Sequence, residues 1–230
     1  MNYLELCQKV ARESGITSGL TVPLTVNSQT GTLKGIVGWT ADAWNDVQVL
    51  SQDWRWMRGE YEKTLLADLG TYSPAGMAAV RHAKWITNSS VTISDPADAT
   101  GRESFLKYIP WTTFRTERLV GVSRSVRRTP IEWSIDPQDQ FVMWPTPDIV
   151  YTIRGEYQKA PQTLALDTDI PEIPVAHHDL IWKSALVILA VQTESMEQLA
   201  QYVRQAASAR VRLFNAQLPR ISFDDVGAIA

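Results

Sequence analysis

Residues 180–191 have the sequence LIWKSALVILAV, the most apolar segment of the chain. Neither proline nor glycine interrupts it, and Pro171 and Pro174 lie upstream in a connecting segment. The spacing predicts a helix over residues 176–193 with apolar side chains on every side. Because an α-helix that is apolar all round is normally buried, we expect this helix to lie at the centre of a folded unit.

Three further helices supply the apolar faces that such a central helix needs. The spacing of apolar residues predicts one helix between the cap Asn2 and the stop Gly15, and two others over residues 33–52 and 196–217. The side chains expected to face inward on the last helix are Leu199, Tyr202, Val203, Ala206, Ala209 and Leu213. Since each helix has an apolar stripe to cover, we expect the N-terminal and C-terminal helices to pack on each other.

The middle of the chain has the composition of β-strands. Short segments rich in Val, Ile, Tyr, Trp and Thr are bounded there by Pro, Asp or Gly. The strands predicted in this way are 61–66, 90–94, 131–135, 141–144 and 150–157. A turn at residues 136–139 separates two of them. The pattern indicates a small, mostly antiparallel β-region.

The order of helices, then strands, then helices predicts an α+β fold that is mainly α. Residues 1–58 and 171–218 are expected to form a helical bundle from the N-terminal and C-terminal helices. Residues 59–170 are expected to form a central small antiparallel β insertion. Residues 219–230 follow the last helix as an extended C-terminal arm.

Charge, cysteine usage and hydropathy argue against several classes of protein. The formal net charge is -3, whereas proteins that bind mainly through phosphate contacts usually carry a basic surface. Cys7 is the single cysteine, so no disulfide can form within the chain. The longest apolar run, 185–191, is far shorter than the about 20 residues of a transmembrane helix. We therefore expect synthesis in a reducing cytoplasm and no membrane partner.

No motif in the sequence assembles a catalytic, cofactor or metal site. Residues 31–35 lack the lysine and hydroxyl of a phosphate-binding loop, and Ser123 lacks the final glycine of a nucleophile elbow. His177, His178 and Asp179 are adjacent in sequence, so on a helix their side chains point about 100° apart and do not converge on a metal ion. They are better explained as the polar first turn of the following helix. We therefore predict no enzyme activity and no cofactor.

One segment has a strong local charge. Seven basic residues and two acidic residues lie between Arg102 and Arg128. This excess is consistent with a solvated face or internal salt bridges. It is also consistent with a surface for an acidic partner or for nearby DNA. If this segment forms a basic patch at a subunit interface or in the DNA channel, the candidate residues of the patch are Arg115, Arg118, Arg124, Arg127 and Arg128.

Two apolar features could serve either a core or an interface. Trp54 and Trp56 follow the second helix and would either pack internally or anchor a partner. Apolar residues also lie on the C-terminal arm, which would either fold back on its own domain or dock on a neighbouring protein. The candidate docking residues of the arm are Pro219, Ile221, Phe223 and Ile229.

An ordered set of segments resembles the adaptor proteins of tailed-bacteriophage head–tail connectors, including the tail tubular protein A type and head completion adaptors. The resemblance covers about residues 44–217. Its segments are DWRWM at 53–57, LKYIPWTTFR at 106–115, PIEW at 130–133, PTPDIVYTIRGEY at 145–157, IP at 173–174 and the start of the helix at 179–186. No single segment is diagnostic, and the order and spacing together carry the resemblance.

The resemblance implies a structural subunit of the virion neck without catalytic residues. Such adaptors assemble as a ring, typically of twelve copies, that joins the portal protein to the tail or to a nozzle or neck protein. The ring continues the channel through which genomic DNA passes without sequence-specific binding. The C-terminal arm, residues 219–230, would then dock on the portal.

Two other functions are consistent with the sequence. A tail-completion or terminator protein of the neck also forms rings, although such proteins are usually small and dominated by β-structure. A non-viral cytosolic protein-binding module would be monomeric and would expose an apolar groove.

Overall fold

The computed structural model describes residues 1–15 and 22–218. The chain divides into two compact units. One unit is Met57–Ala160, which we call the β unit. The other, which we call the helical unit, is formed by the described residues up to Trp56 and from Pro161 onward. The predicted arm at 219–230 lies outside the described residues.

The described residues contain five α-helices and eight β-strands. The helices are α1 (Tyr3–Ser14), α2 (Gly31–Val49), α3 (Trp111–Arg118), α4 (His178–Gln192) and α5 (Met196–Gln217). The strands are β1 (Arg58–Thr64), β2 (Thr71–Tyr72), β3 (His82–Trp85), β4 (Val91–Ser94), β5 (Glu103–Tyr108), β6 (Glu132–Ile135), β7 (Phe141–Trp144) and β8 (Thr152–Lys159). Single helical turns occur at Arg55–Met57, Gly121–Ser125 and Val175–His177.

In the helical unit, α4 packs against α1, α2 and α5. Its fully buried residues include Leu180, Ile181 and Ala185. The expectation that α4 is buried on every side is too strong, because Val191 near its end is 53% exposed. The prediction for α5 fails in a similar way at Val203, which is exposed, whereas most of its other predicted inward residues are buried.

Helix α1 begins and ends through local interactions that its sequence specifies. The Asn2 side chain accepts a hydrogen bond from the Glu5 amide at 2.8 Å, and the Glu5 carboxylate accepts one from the Asn2 amide at 3.0 Å. This reciprocal pair satisfies amides that a helix N-terminus otherwise leaves without partners. Gly15 then ends the helix in the left-handed conformation, with φ of 65°.

An aromatic stack belongs to the core of the helical unit. The Trp44 and Trp56 rings are stacked at 5.3 Å, and Trp54 stacks on Phe214 of α5 at 5.4 Å. Trp54 is fully buried, and its indole N–H donates to the Gln48 carbonyl at 3.1 Å. The Trp54–Trp56 pair therefore packs the end of α2 against α5.

The β unit has one mixed sheet curved into a half-barrel. The strand order is β1-β8-β4-β5-β6-β7-β2, and β3 pairs with β8. All pairs of strands are antiparallel except β5 and β6, which are parallel. A parallel pair needs a long crossover, and the residues between Tyr108 and Glu132, which include α3, supply it.

The predicted fold class, a helical bundle with a small antiparallel β insertion, is wrong. The eight-stranded sheet surrounds a core of its own. Residues of that core include Tyr61, Met77, Trp85, Ile93, Trp133, Phe141, Ile153 and Tyr157. The sequence predicts five of the eight strands and misses β2, β3 and β5. Strands β2 and β3 are too short, and β5 is too polar, to give an alternating pattern. Without β5, neither the parallel pairing nor the size of the sheet could be inferred.

None of the helices in the described ranges is both long enough and apolar enough to cross a membrane.

Candidate interaction surface

The predicted basic patch lies on the crossover of the β unit. We call residues 111–128 the basic segment; it contains α3 and the helical turn Gly121–Ser125. Helix α3 packs against β6, and Phe114 is fully buried beneath it. The Trp111 ring stacks on Phe114 at 6.2 Å. One apolar side of α3 thus fixes the segment to the sheet.

Arg118 connects this helix to the sheet through an ion pair. Its guanidinium donates to both carboxylate oxygens of Glu132, at 2.5 Å and 3.1 Å. It also lies 4.8 Å above the centre of the Trp144 ring. The hydrogen bond to Glu132 raises the pKa of Arg118, so its charge is held in this pair. Arg118 is therefore a structural contact within the subunit.

The part of the segment that follows α3 is held by main-chain and side-chain hydrogen bonds. Trp144 Nε1 donates to the Ser123 carbonyl at 2.8 Å, and Arg124 Nε donates to the Leu119 carbonyl at 3.1 Å. The Arg128 amide donates to the Thr146 carbonyl at 3.0 Å. These contacts give the exposed segment a defined conformation before any partner binds.

The five predicted arginines have different surroundings. Arg118 is neutralised by Glu132, and Arg127 forms an ion pair with Asp68. Arg115, Arg124 and Arg128 are exposed, and none of the three forms an ion pair within residues 1–15 and 22–218. The positive charge available to a partner is therefore that of Arg115, Arg124 and Arg128.

Two exposed valines on the same segment were not anticipated from the sequence. Val120 is 60% exposed and Val122 is 85% exposed. They flank Gly121, which begins the helical turn with φ of 59°. Because both the helical turn and the exposure of these valines come from the fold, no signal in the sequence indicated this apolar site.

A second candidate surface lies on the outer side of the sheet, around β1, β8 and β4. We call it the acidic face. It has a depression of about 330 Å³, and its charged lining residues are Glu60, Glu62, Arg154 and Glu156. Arg154 forms ion pairs with Glu62 at 3.1 Å and with Glu103 at 2.6 Å. Thr92 on β4 lies opposite Arg154 on β8 and opposite Phe105 on β5, so the three residues form one row across the strands. The Phe105 side chain in this row is 72% exposed.

The helical unit has an apolar groove between α2, α4 and α5. Its volume is about 120 Å³. Its apolar lining residues are Val47, Leu50, Val187, Ile188 and Ala206, with Asp46, Ser184 and Arg210 beside them. Val187 and Ile188 are only partly buried because they line this groove.

The histidine, aspartate and cysteine side chains that could carry catalytic or metal chemistry make structural contacts instead. His178 Nε2 lies 3.1 Å from the Ile173 carbonyl, and burial lowers the pKa of the ring. Asp179 forms ion pairs with Lys183 at 2.6 Å and Arg212 at 2.5 Å. Burial raises the pKa of the Cys7 thiol to about 12, which suppresses its thiolate form. In the described ranges, His, Cys, Asp and Glu form no group of three that could hold a metal ion.

The candidate arm residues Pro219, Ile221, Phe223 and Ile229 lie outside the described residues.

Comparison with known proteins identifies the family. No curated protein matches the chain. A model of the SU10 adaptor protein family matches residues 1–227, which is nearly the whole sequence. The match agrees with the resemblance to phage head–tail adaptors, while the tail tubular protein A type stays a prediction. The chain therefore belongs to the SU10 adaptor protein family of bacteriophage structural adaptors.

Proposed function

We propose that this protein is a ring subunit of a phage head–tail connector, which joins the portal protein to the tail and continues the DNA channel. The observation that carries the proposal is the family match over residues 1–227. A phage structural adaptor is a component of the virion. Its place in the neck, its portal and tail partners and a ring of twelve copies belong to the proposal.

The surfaces of the β unit support a role in assembly. A closed ring uses a head-to-tail contact, so each subunit needs two different complementary surfaces. The basic segment and the acidic face are of opposite charge and lie at different places on one sheet, as such a contact would need. Repeating a modest contact around a ring makes the assembly stable through avidity.

The charge balance supports a channel that does not retain DNA. With a net charge of -3, the chain lacks the overall positive charge that usually accompanies strong phosphate binding. Genomic DNA would therefore pass without sequence-specific contact. The role we propose is mechanical and involves no catalytic residue.

The arm at 219–230 is proposed to dock on the portal through Pro219, Ile221, Phe223 and Ile229. Deletion of residues 220–230 should leave folding intact, as judged by circular dichroism, and should abolish attachment to purified portal. Retained attachment of the shortened chain would refute this part of the proposal.

The connector role is tested by electron microscopy of particles from an infection that lacks this gene. Filled or leaking heads beside separate finished tails are expected, because neither part could join the other. Normally joined virions would exclude a connector role. They would favour the protein-binding module, for which the groove between α2, α4 and α5 would be the first surface to examine.

A further inference from the structure

We propose that the basic segment of one subunit docks on the acidic face of a second copy of this chain. The inference rests on the proposed function, because it names the two surfaces by which neighbouring subunits in the ring contact each other. It assigns Arg115 and Arg128 to one side of the contact, and Glu60 and Glu156 to the other.

The two surfaces lie at different places on one sheet. The basic segment packs on β6, whereas Glu60 and Glu156 lie on β1 and β8. Since β4 and β5 lie between β8 and β6, Glu156 on β8 lies three strand spacings from the strand beneath the basic segment, or about 14 Å along the sheet. Surfaces that are distinct but complementary join copies head to tail, the type of contact that a closed ring requires.

The acidic face contains an unfavourable pair of like charges. Glu60 lies directly opposite Glu156 in the register of β1 and β8. Like charges in directly opposed positions destabilise a sheet. Arg58 lies 3.8 Å from Glu156, whereas Glu60 forms no ion pair within the described ranges. A guanidinium from a neighbouring copy would lower this repulsion, and Arg115 and Arg128 are exposed and available to supply it.

Both surfaces also carry exposed apolar side chains. Val120 and Val122 project from the basic segment, and Phe105 lies in the same cross-strand row as the acidic face. Protein interfaces combine an apolar centre with a polar, charged rim. The valines give the basic segment an apolar character that phosphate binding does not need. This favours a protein partner over DNA.

Charge exchange tests the contact in infections that lack the gene and are complemented with the full-length chain. One variant carries Arg115→Glu with Arg128→Glu, and a second carries Glu60→Lys with Glu156→Lys. Each alone should give a large loss of joined virions, because like charges then meet at every contact. The variant with all four substitutions should restore joining, because the charges again match across the interface.

The matched control carries Arg204→Glu with Glu197→Lys on the exposed side of α5 and should support joining like the wild type. Thermal melting followed by circular dichroism checks that every variant is folded. The proposal is overturned if either two-substitution variant joins heads and tails normally. It is also overturned if the folded four-substitution variant stays defective, since the basic segment would then meet another partner, such as DNA. Normal virions without the gene would instead refute the connector role itself.

Discussion

Tyr61 lies directly opposite Gly155 in the register of β1 and β8, and its hydroxyl lies where a side chain at position 155 would begin. Tyr157 and Gly59 form the same arrangement two residue pairs along the strands. Each tyrosine ring therefore covers the glycine on the opposite strand. The two rings belong to the core of the β unit, which explains why neither glycine can gain a side chain without displacing an aromatic ring.

Gly59→Ala is expected to lower the free energy of unfolding by about 1–3 kcal/mol, the usual cost of overpacking a core. The added Cβ would lie 2.5 Å from Cζ of Tyr157. The control is Gly38→Ala on α2, where the new Cβ would have no atom within 4 Å apart from its chain neighbours and the backbone of its own helix. That change should raise stability by about 0.5–1 kcal/mol, since alanine favours a helix. Urea denaturation measures both, and equal effects would contradict the packing described.

Tyr61→Phe is expected to raise the free energy of unfolding by about 1 kcal/mol, because a buried polar group without a partner is costly. The Tyr61 hydroxyl is buried and has no hydrogen-bond partner among the described residues. The matched change is Tyr157→Phe, which removes the 2.9 Å hydrogen bond that the Tyr157 hydroxyl donates to the Val80 carbonyl. It should instead lower stability by about 1 kcal/mol. The same denaturation experiment compares the two, and destabilisation by Tyr61→Phe would refute the expectation.

Stability should decrease as the pH falls below about 6.5, the usual pKa of histidine. Burial lowers the pKa of His178, and the charge of the amino terminus acts in the same direction. Burial also lowers the pKa of His82, against the opposing effect of Asp139. The unfolded chain then binds protons that the folded chain does not bind. The stabilisation that comes from keeping His178 and His82 neutral is thus complete above the histidine pKa of the unfolded chain. It is lost as the pH drops from that value toward the lower pKa values of the folded chain.

The measurement is the free energy of unfolding at several pH values from about 7.5 to about 5.5, an interval that spans the usual histidine pKa. His178→Gln should reduce the slope of stability against pH, whatever its effect on stability at neutral pH. An unchanged slope would show that His178 does not titrate differently in the two states.

Leu180→Ala is expected to cost about 2–5 kcal/mol, the range for truncating a large residue in a core. Leu180 is 0% exposed, on the helix that contacts α1, α2 and α5. Val191→Ala on the same helix is the control, and it should change stability by no more than about 0.5 kcal/mol because Val191 is at the surface. Thermal unfolding compares them, and a loss below about 1 kcal/mol for Leu180→Ala would mean that α4 is not central.

Arg118→Ala is expected to loosen the basic segment and to speed trypsin cleavage at Arg124 and Arg127. The change removes the two hydrogen bonds to Glu132 and the contact with the Trp144 ring. Local opening then exposes the main chain to the protease. Arg115→Ala, which removes a charge but none of these contacts, should leave the rate unchanged. Limited proteolysis followed by mass spectrometry gives both rates, and equal rates would show that Arg118 does not hold the segment.

Much of the local structure follows from contiguous residues. The pair Asn2 and Glu5 begins α1, the apolar run 180–191 places α4, and β7 has the predicted bounds 141–144. Each signal lies within a few residues of the element that it specifies, because capping and helical or strand periodicity are local interactions.

Other features depend on residues that are distant in sequence. The strand β5 shows no regular alternation, so only its pairing with β4 and β6 makes it a strand. The charge of Arg118 is neutralised by Glu132 on β6 across the crossover, and the available charge of the basic segment is smaller than its composition indicates. The sequence by itself determined four of the five helices, five of the eight strands and the family resemblance, whereas α3, β2, β3 and β5 were not predicted. The tertiary structure decided the half-barrel and the exposed arginines, because strand pairing and burial depend on which distant surfaces meet.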